Sequence, residues 1–151
     1  MIKVAIVDDN QINRITIKEK LAPYQDVLLV FEATNGEDFF DKLESLPKEE
    51  HPHVVLMDLE MPILDGIVTI ASASIKFPEI KYIVLTIYED DDKIFEAIKA
   101  GASGYLLKED KALNIEEAMK NVVQFDGIPM SPAIARRAMD LLRDTPKPTA
   151  S

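Results

Sequence analysis

The sequence predicts an α/β fold, a doubly wound sheet of five parallel strands alternating with helices, with one extra helix near the C-terminus. Three observations carry this. Five short runs rich in β-branched residues recur along the chain, at residues 3–7, 27–33, 54–57, 80–85 and 104–107. They lack strict apolar–polar alternation, as strands covered on both faces should. The stretches between them show helical spacing, and turn residues sit where one pattern gives way to the other.

The first strand, residues 3–7, ends on the acidic pair Asp8 and Asp9. The helix that follows, at about residues 11–21, has a blurred stripe in which Ile17 and Leu21 are the clearest pair. After strand 27–33, Asn35-Gly36 turns the chain into a second helix with Phe39, Leu43 and Leu46 on one face. Strand 54–57 stops at Asp58, and a third helix carries Ile67, Ile70, Ala71 and Ile75 until Phe77-Pro78 ends it. Strand 80–85 runs up to Thr86. Asp90, Asp91 and Asp92 then open a fourth helix, where they complement the positive end of its dipole rather than form a metal site, and Gly101 suits its C-terminal end. Strand 104–107 stops at Lys108. The fifth helix shows i, i+3, i+4, i+7, i+8 spacing in Ile115, Ala118, Met119, Val122 and Val123. Beyond it, Ser131-Pro132 reads as an N-cap followed by Pro at the first helical position, opening a short helix with Ile134, Ala138, Leu141 and Leu142. The end, residues 144–151, is linker-like.

A length of 151 residues suits one domain with a modest core. The net charge of −10 argues against this segment holding nucleic acid, whose phosphates need a basic face, while allowing a cation site or a basic partner surface. Cysteine is absent, so disulfides and thiolate metal sites are excluded. No apolar run approaches the roughly 20 residues of a membrane span. Met1 leads directly into a strand without a signal-peptide pattern, and the expected location is cytoplasmic.

In a parallel sheet of this kind the ligand site lies beyond the carboxyl ends of the strands. The acids, hydroxyl and amine at these ends therefore have one edge on which to converge. Two carboxylates about 4 Å apart repel by roughly 4 kcal/mol at an effective dielectric of 20, so gathering several costs stability unless a cation or a proton relieves it. Hard carboxylate oxygens without cysteine or a well-placed histidine suit Mg²⁺ or Mn²⁺. Asp8, Asp9, Asp58, Thr86 and Lys108 together form an inventory for metal-assisted phosphoryl chemistry on a carboxylate.

Four motifs in this order, Val7-Asp8-Asp9-Asn10, Met57-Asp58-Leu59-Glu60-Met61-Pro62-Ile63-Leu64-Asp65-Gly66, Leu85-Thr86 and Gly101-Ala102-Ser103-Gly104-Tyr105-Leu106-Leu107-Lys108, resemble the receiver domain of two-component response regulators over roughly residues 1–125. The resemblance implies a flavodoxin-like (βα)5 fold with strand order 2-1-3-4-5, for which a receiver is itself a standard example. It implies that Asp58 is the phosphoacceptor. Asp8, Asp9, Asp58 and the backbone carbonyl of Glu60 would hold Mg²⁺ or Mn²⁺. Lys108 would pair with the phosphoryl group, Thr86 would be the switch hydroxyl, and Tyr105 the aromatic that turns inward with it. The side chains of Glu60 and Tyr88 would influence phosphoryl lifetime, and Asn10, Gln11, Asn13 and Arg14 would edge the surface facing a histidine kinase.

The segment Gly127-Ile128-Pro129-Met130-Ser131-Pro132 with Ala133-Ile134-Ala135-Arg136-Arg137 resembles the NarL/LuxR-like branch. There a linker, here 126–151, joins the receiver to a DNA-binding helix-turn-helix domain. The implied partners are a sensor histidine kinase, a second copy on phosphorylation, and DNA through that further domain, with no membrane. The chain is then a phosphoryl acceptor, not a turnover enzyme. One departure is Glu109, which stands after Lys108 where many receivers have proline. A stand-alone receiver whose last helix packs on the domain is the alternative. An Asp-nucleophile phosphatase needs Asp-x-Asp after the first strand, and a flavin mononucleotide module needs a phosphate loop that an acidic pair would repel. A pseudo-receiver is disfavoured by the complete set of key residue types.

Overall fold

The computed structural model describes residues 1–144. Its elements follow in order: β1 (Ile2–Val7), α1 (Gln11–Leu21), β2 (Val27–Ala33), α2 (Gly36–Ser45), a 3-10 turn at Lys48–Glu50, β3 (Val54–Met57), α3 (Gly66–Lys76), β4 (Lys81–Thr86), α4 (Asp91–Ala100), β5 (Gly104–Leu107), α5 (Ala112–Phe125) and α6 (Pro132–Asp144). All strand pairs are parallel, in the order β2-β1-β3-β4-β5. This is the predicted flavodoxin-like sheet.

The lack of alternation in the strands has a direct cause. Strands β1, β3, β4 and β5 send successive side chains into two different cores, while β2 lies at the edge of the sheet and leaves Leu28 exposed. Ala5, Val7, Val55, Met57, Tyr82 and Val84 enter one with Phe39, Leu43, Ile70, Ala73 and Ile94, on the side of α2, α3 and α4. Val4, Ile6, Leu56, Ile83 and Leu85 enter the other with Ile17, Leu21, Ile115 and Met119, on the side of α1 and α5. Burying each Val, Leu, Ile, Phe or Met side chain among them contributes about 1.5–3 kcal/mol.

Helices that leave the functional edge are capped from their loops. The side chains of Asn10, Asn35 and Asp65 accept from the backbone N–H groups of Asn13, Asp38 and Val68 at 3.1, 2.9 and 2.9 Å. Each such cap is worth about 1 kcal/mol. Gly101 ends α4 with φ of 107°, a left-handed conformation that glycine adopts without a Cβ penalty.

Several expectations need correction. Strand β4 runs one residue later than predicted, so Thr86 is its last residue. Leu46 lies just past α2 as its extended cap, not on its stripe. In α3 the buried residues are Gly66, Thr69, Ile70 and Ala73, while Ile75 is 83% exposed. The face is set by how closely the helix start approaches the β3 loop, not by where the largest apolar residues lie. Thr69 tolerates burial because its hydroxyl donates to the Asp65 carbonyl at 2.6 Å. Val123 of α5 is partly exposed, at 38%, and Leu142 of α6 largely so, at 72%.

The segment before α6 is more than a tether. Tyr105 N–H donates to the Pro129 carbonyl at 3.0 Å, and Ser131 N–H donates to the Tyr105 carbonyl at 3.1 Å, a one-residue parallel bridge between Tyr105 and Met130 on the outer edge of β5. That covers backbone groups an edge strand would leave open. Helix α6 packs against α4, with Ile134 fully buried in the first core and Arg137 paired to Asp91. The Ser131 hydroxyl, expected to cap α6, instead accepts from Leu107 N–H at 3.0 Å and donates to Asp110. The linker-like residues 145–151 lie outside the described residues. Among those described, no helix is long and apolar enough to cross a membrane.

Candidate functional site

The sheet ladder continues one residue beyond the strands. Asp8 N–H donates to the Ala33 carbonyl at 3.0 Å, Asp58 N–H to the Val7 carbonyl at 2.9 Å, and Lys108 N–H to the Thr86 carbonyl at 2.9 Å. These bonds fix the backbones of Asp8, Asp58 and Lys108 at the same edge. Asp8, Asp9 and Asp58 each present a carboxylate oxygen within 4.8 Å of the others. Asp8 and Asp58 are 1% and 7% exposed, whereas Asp9 faces solvent. The three acids picked out by type and strand position are therefore brought together, and the backbones of Thr86 and Lys108 meet at the same edge.

Each buried carboxylate anchors one oxygen on its own loop. Asp8 Oδ1 accepts from Asn10 N–H at 2.9 Å, and Asp58 Oδ1 accepts from Leu59 N–H at 2.9 Å. The other oxygens turn toward Lys108, whose Nζ lies 2.7 Å from Asp8 Oδ2 and 3.4 Å from Asp58 Oδ2. The Asp8 contact is one of charge alone: Asp8 Oδ2 is buried without an aligned hydrogen bond. One ammonium thus faces two carboxylates, with a third nearby. Burial, and then the Asp8 charge, push the Asp58 carboxyl up to about 6, against the pull of Lys108 and the Leu59 N–H. A hard divalent cation fits this donor set, because it would meet an acceptor oxygen that now lacks a donor.

Gly66 is required here by close approach: a Cβ on it would lie 1.9 Å from the Asp58 carbonyl oxygen. Nearby, Ile63 holds φ of 70° and is 76% exposed, an unfavourable backbone state for a β-branched residue.

Thr86 is fully buried, and its Oγ1 receives only a long contact from Tyr88 N–H, at 3.4 Å. Tyr105 is buried too, with its hydroxyl donating to the Tyr88 carbonyl at 2.8 Å. Burial pushes its phenol above the ordinary value. The side chains of Glu60 and Tyr88 meet each other: Tyr88 Oη donates to Glu60 Oε2 at 2.6 Å. Lys93 joins them, 2.7 Å from Glu60 Oε1 and 4.6 Å from the Tyr88 ring centre. This bridge links the β3–α3 loop to the start of α4, and it holds the Glu60 carboxyl below its usual range.

Sequence reasoning missed Lys93, which reads as one more solvated charge in an acidic first turn. It also missed Lys20, whose Nζ donates to the carbonyls of Lys108 and Asp110 at 2.8 and 3.1 Å. Arg14, expected on an exposed partner surface, is folded back instead. Its side chain is 14% exposed, with Nη1 donating to the Asp8 carbonyl at 2.7 Å and Nε paired to Glu32.

Residues 4–120 match the family model of the response regulator receiver domain. The chain belongs to that family. This receiver is 35% identical over 123 residues to the transcriptional regulatory protein DegU of Brevibacillus brevis, covering 82% of this chain and 50% of that protein. It is 37% identical over 120 residues to the transcriptional regulatory protein LiaR of Bacillus subtilis (strain 168), covering 80% of this chain and 55% of that protein. The receiver chain thus spans about half the length of the curated relatives it matches, and these are transcriptional regulators, in keeping with the NarL/LuxR-like resemblance. In fold it is similar to a LuxR-family two-component response regulator from Aurantimonas sp. SI85-9A1, with a TM-score of 0.84 at 22% identity, covering 95% of this chain and 99% of that one. It is also similar to the isolated receiver of RcsB from Salmonella enterica serovar Typhimurium, described in the presence of the phosphomimetic BeF3⁻, with a TM-score of 0.79 at 24% identity and coverage of 90% and 97%.

Proposed function

We propose that this receiver accepts a phosphoryl group on Asp58, with Mg²⁺ or Mn²⁺ held by Asp8, Asp9, Asp58 and the backbone carbonyl of Glu60. The observation that supports it most is the set of three carboxylates within 4.8 Å of one another, with Lys108 between Asp8 and Asp58. When bound, the cation neutralises phosphoryl oxygens that would otherwise be repelled by the acids. An Asp58 oxygen forms the new bond to phosphorus, and the donor's leaving group departs with the electron pair of the old one. Asp58 Oδ1, anchored on Leu59 N–H, leaves Oδ2 as the attacking atom. Lys108 pairs with a phosphoryl oxygen, and the Thr86 hydroxyl donates to another. Moving Thr86 draws the Tyr88 backbone with it, and Tyr105 follows through its hydroxyl bond to the Tyr88 carbonyl.

The phosphoryl group comes from a sensor histidine kinase or a small donor, and the chain works in the cytoplasm as a switch rather than a turnover enzyme. Its output is transcription control through a DNA-binding domain joined by the 126–151 linker, with a second copy engaged on phosphorylation. A second reading is a stand-alone receiver acting through protein partners. The docking of α6 on α4, with Ile134 in the core, favours it.

The test is incubation with acetyl phosphate and Mg²⁺, read by intact mass. The expected result is one acid-stable, base-labile phosphoryl adduct, absent from Asp58→Asn. No adduct from acetyl phosphate or from a competent kinase would refute the phosphoacceptor reading.

A further inference from the structure

The segment that carries Lys108 from β5 to α5 is only a few residues long, and Glu109 at its middle is exposed. Lys108 must nevertheless hold its ammonium against Asp8 and Asp58. Its own N–H is fixed by Thr86, and Asp110 N–H closes the turn on the Leu107 carbonyl at 2.9 Å, which leaves the Lys108 and Asp110 carbonyls pointing away to be met by another donor. The carbonyls of Lys108 and Asp110 both accept from one distant group, the Lys20 ammonium, at 2.8 and 3.1 Å.

Lys20 lies in the last turn of α1, where a cation also complements the helix dipole. Dipole compensation needs no particular partner, and a lysine serving it alone would extend into water. Here the side chain crosses to a loop 88 residues away and bonds two carbonyls that flank Glu109. An ammonium suits this, because its three donors rotate freely around one compact charge. The Asp110 side chain is held from the other direction by Leu107 N–H and Ser131. The loop is therefore clamped between α1 and the segment leading to α6.

We propose that Lys20 is a positioning residue for the phosphoryl-transfer site, holding the β5–α5 loop so that Lys108 stays aimed at Asp58. This rests on the phosphoacceptor reading above. Lys20 touches none of Asp8, Asp9 or Asp58, so it acts on the placement of Lys108 and not on the acids that would bind the cation. Misplacing a charge-pairing group by about 1 Å is costly in rate, even when the group remains present.

The experiment compares the whole chain with Lys20→Met, which keeps length without donors, Lys20→Gln, which keeps one polar end, and Lys20→Arg, which keeps charge and donors. Acetyl phosphate labelling of Asp58 is followed by intact mass, Mg²⁺ affinity by calorimetry without any phosphodonor, and folding by thermal melting. The expected result is labelling about tenfold slower in Lys20→Met and Lys20→Gln, Mg²⁺ affinity within about twofold of wild type, and recovery of most of the rate in Lys20→Arg. Labelling of both neutral variants within about twofold of wild type overturns the proposal. A fall in Mg²⁺ affinity that parallels the fall in rate also overturns it, because the defect would then be general to the site. Failure of the wild type itself to label is a different result, which refutes the phosphoacceptor reading instead.

Discussion

Asp58 sits in surroundings that disfavour its charge, and the stability of the chain should register this. Its carboxyl titrates near 3.8 when unfolded and near 6 when folded without metal. Between those values the folded chain keeps a proton that the unfolded chain has released. The contribution to stability is thus present below the unfolded value and is lost as pH rises through 6. Discounted for access of solvent, the loss at neutral pH is about 2 kcal/mol. Asp58→Asn should therefore raise the melting temperature of the metal-free chain by a few degrees at pH 7.5, with the gain vanishing near pH 4. Equal melting of the two proteins across that range would contradict the picture. Ile63 offers a simpler case. It holds a left-handed backbone while its side chain is mostly in water, so Ile63→Gly should stabilise by about 1 kcal/mol in chemical denaturation. Asp8, Asp9, Asp58, Thr86 and Lys108 were legible as a set because residue type and strand end are both one-dimensional facts. Lys20, Lys93 and Arg14 were not, because their importance lies in what a long cationic side chain reaches.

The edge of β5 is the part of the sheet where neighbouring elements decide most. Residues 129–131 supply its outer hydrogen bonds, and the Ser131 hydroxyl ties them to Leu107 and Asp110. Ser131→Ala removes a buried donor and acceptor, which should cost about 1–2 kcal/mol. It should also speed amide exchange in α6 more than in α1; uniform exchange would mean the tie does not hold α6. Arg137→Ala, by contrast, should change stability by less than about 0.5 kcal/mol, since both partners of its ion pair with Asp91 are exposed. The same lesson appears in α3. Apolar spacing pointed to Ile75, yet the buried face is built from Gly66, Thr69, Ile70 and Ala73, two of them too small or polar to stand out in a hydropathy pattern. Strands were easier, because burial on both faces leaves a continuous apolar run that needs no partner to be recognised.

Across the molecule, a cation held at the acidic edge would link metal binding to folding. A cation that binds only the folded chain stabilises it by about 2.7 kcal/mol at a hundred times its Kd. Adding Mg²⁺ should raise the melting temperature, a chelator should reverse the rise, and Asp9→Ala should reduce it strongly; an unchanged shift in that variant would remove Asp9 from the metal site. On the proposed function, phosphorylation would act on the same structure by favouring one of two states. Taking a receiver from 1:99 to 99:1 requires about 5.5 kcal/mol of differential stability. Tyr105 bonds both the β4–α4 loop and the segment leading to α6. Its hydroxyl bonds the Tyr88 carbonyl, and its backbone bonds Pro129 and Ser131 in the segment leading to α6.

The order of strands and helices, the two-sided burial of the sheet and the identity of the five strand-end groups all follow from local patterns. Periodicity, turn residues and residue type act over a few positions and survive without knowledge of the partner. The inward fix of Tyr105, the Glu60–Tyr88–Lys93 bridge, the Lys20 clamp and the docking of α6 on α4 came only from the folded chain. They depend on hydrogen bonds and ion pairs between residues 17 to 90 positions apart, whose geometry is set by how whole elements pack. The candidate groups of the site were therefore written at the ends of the strands, and the contacts that surround them were decided only by packing.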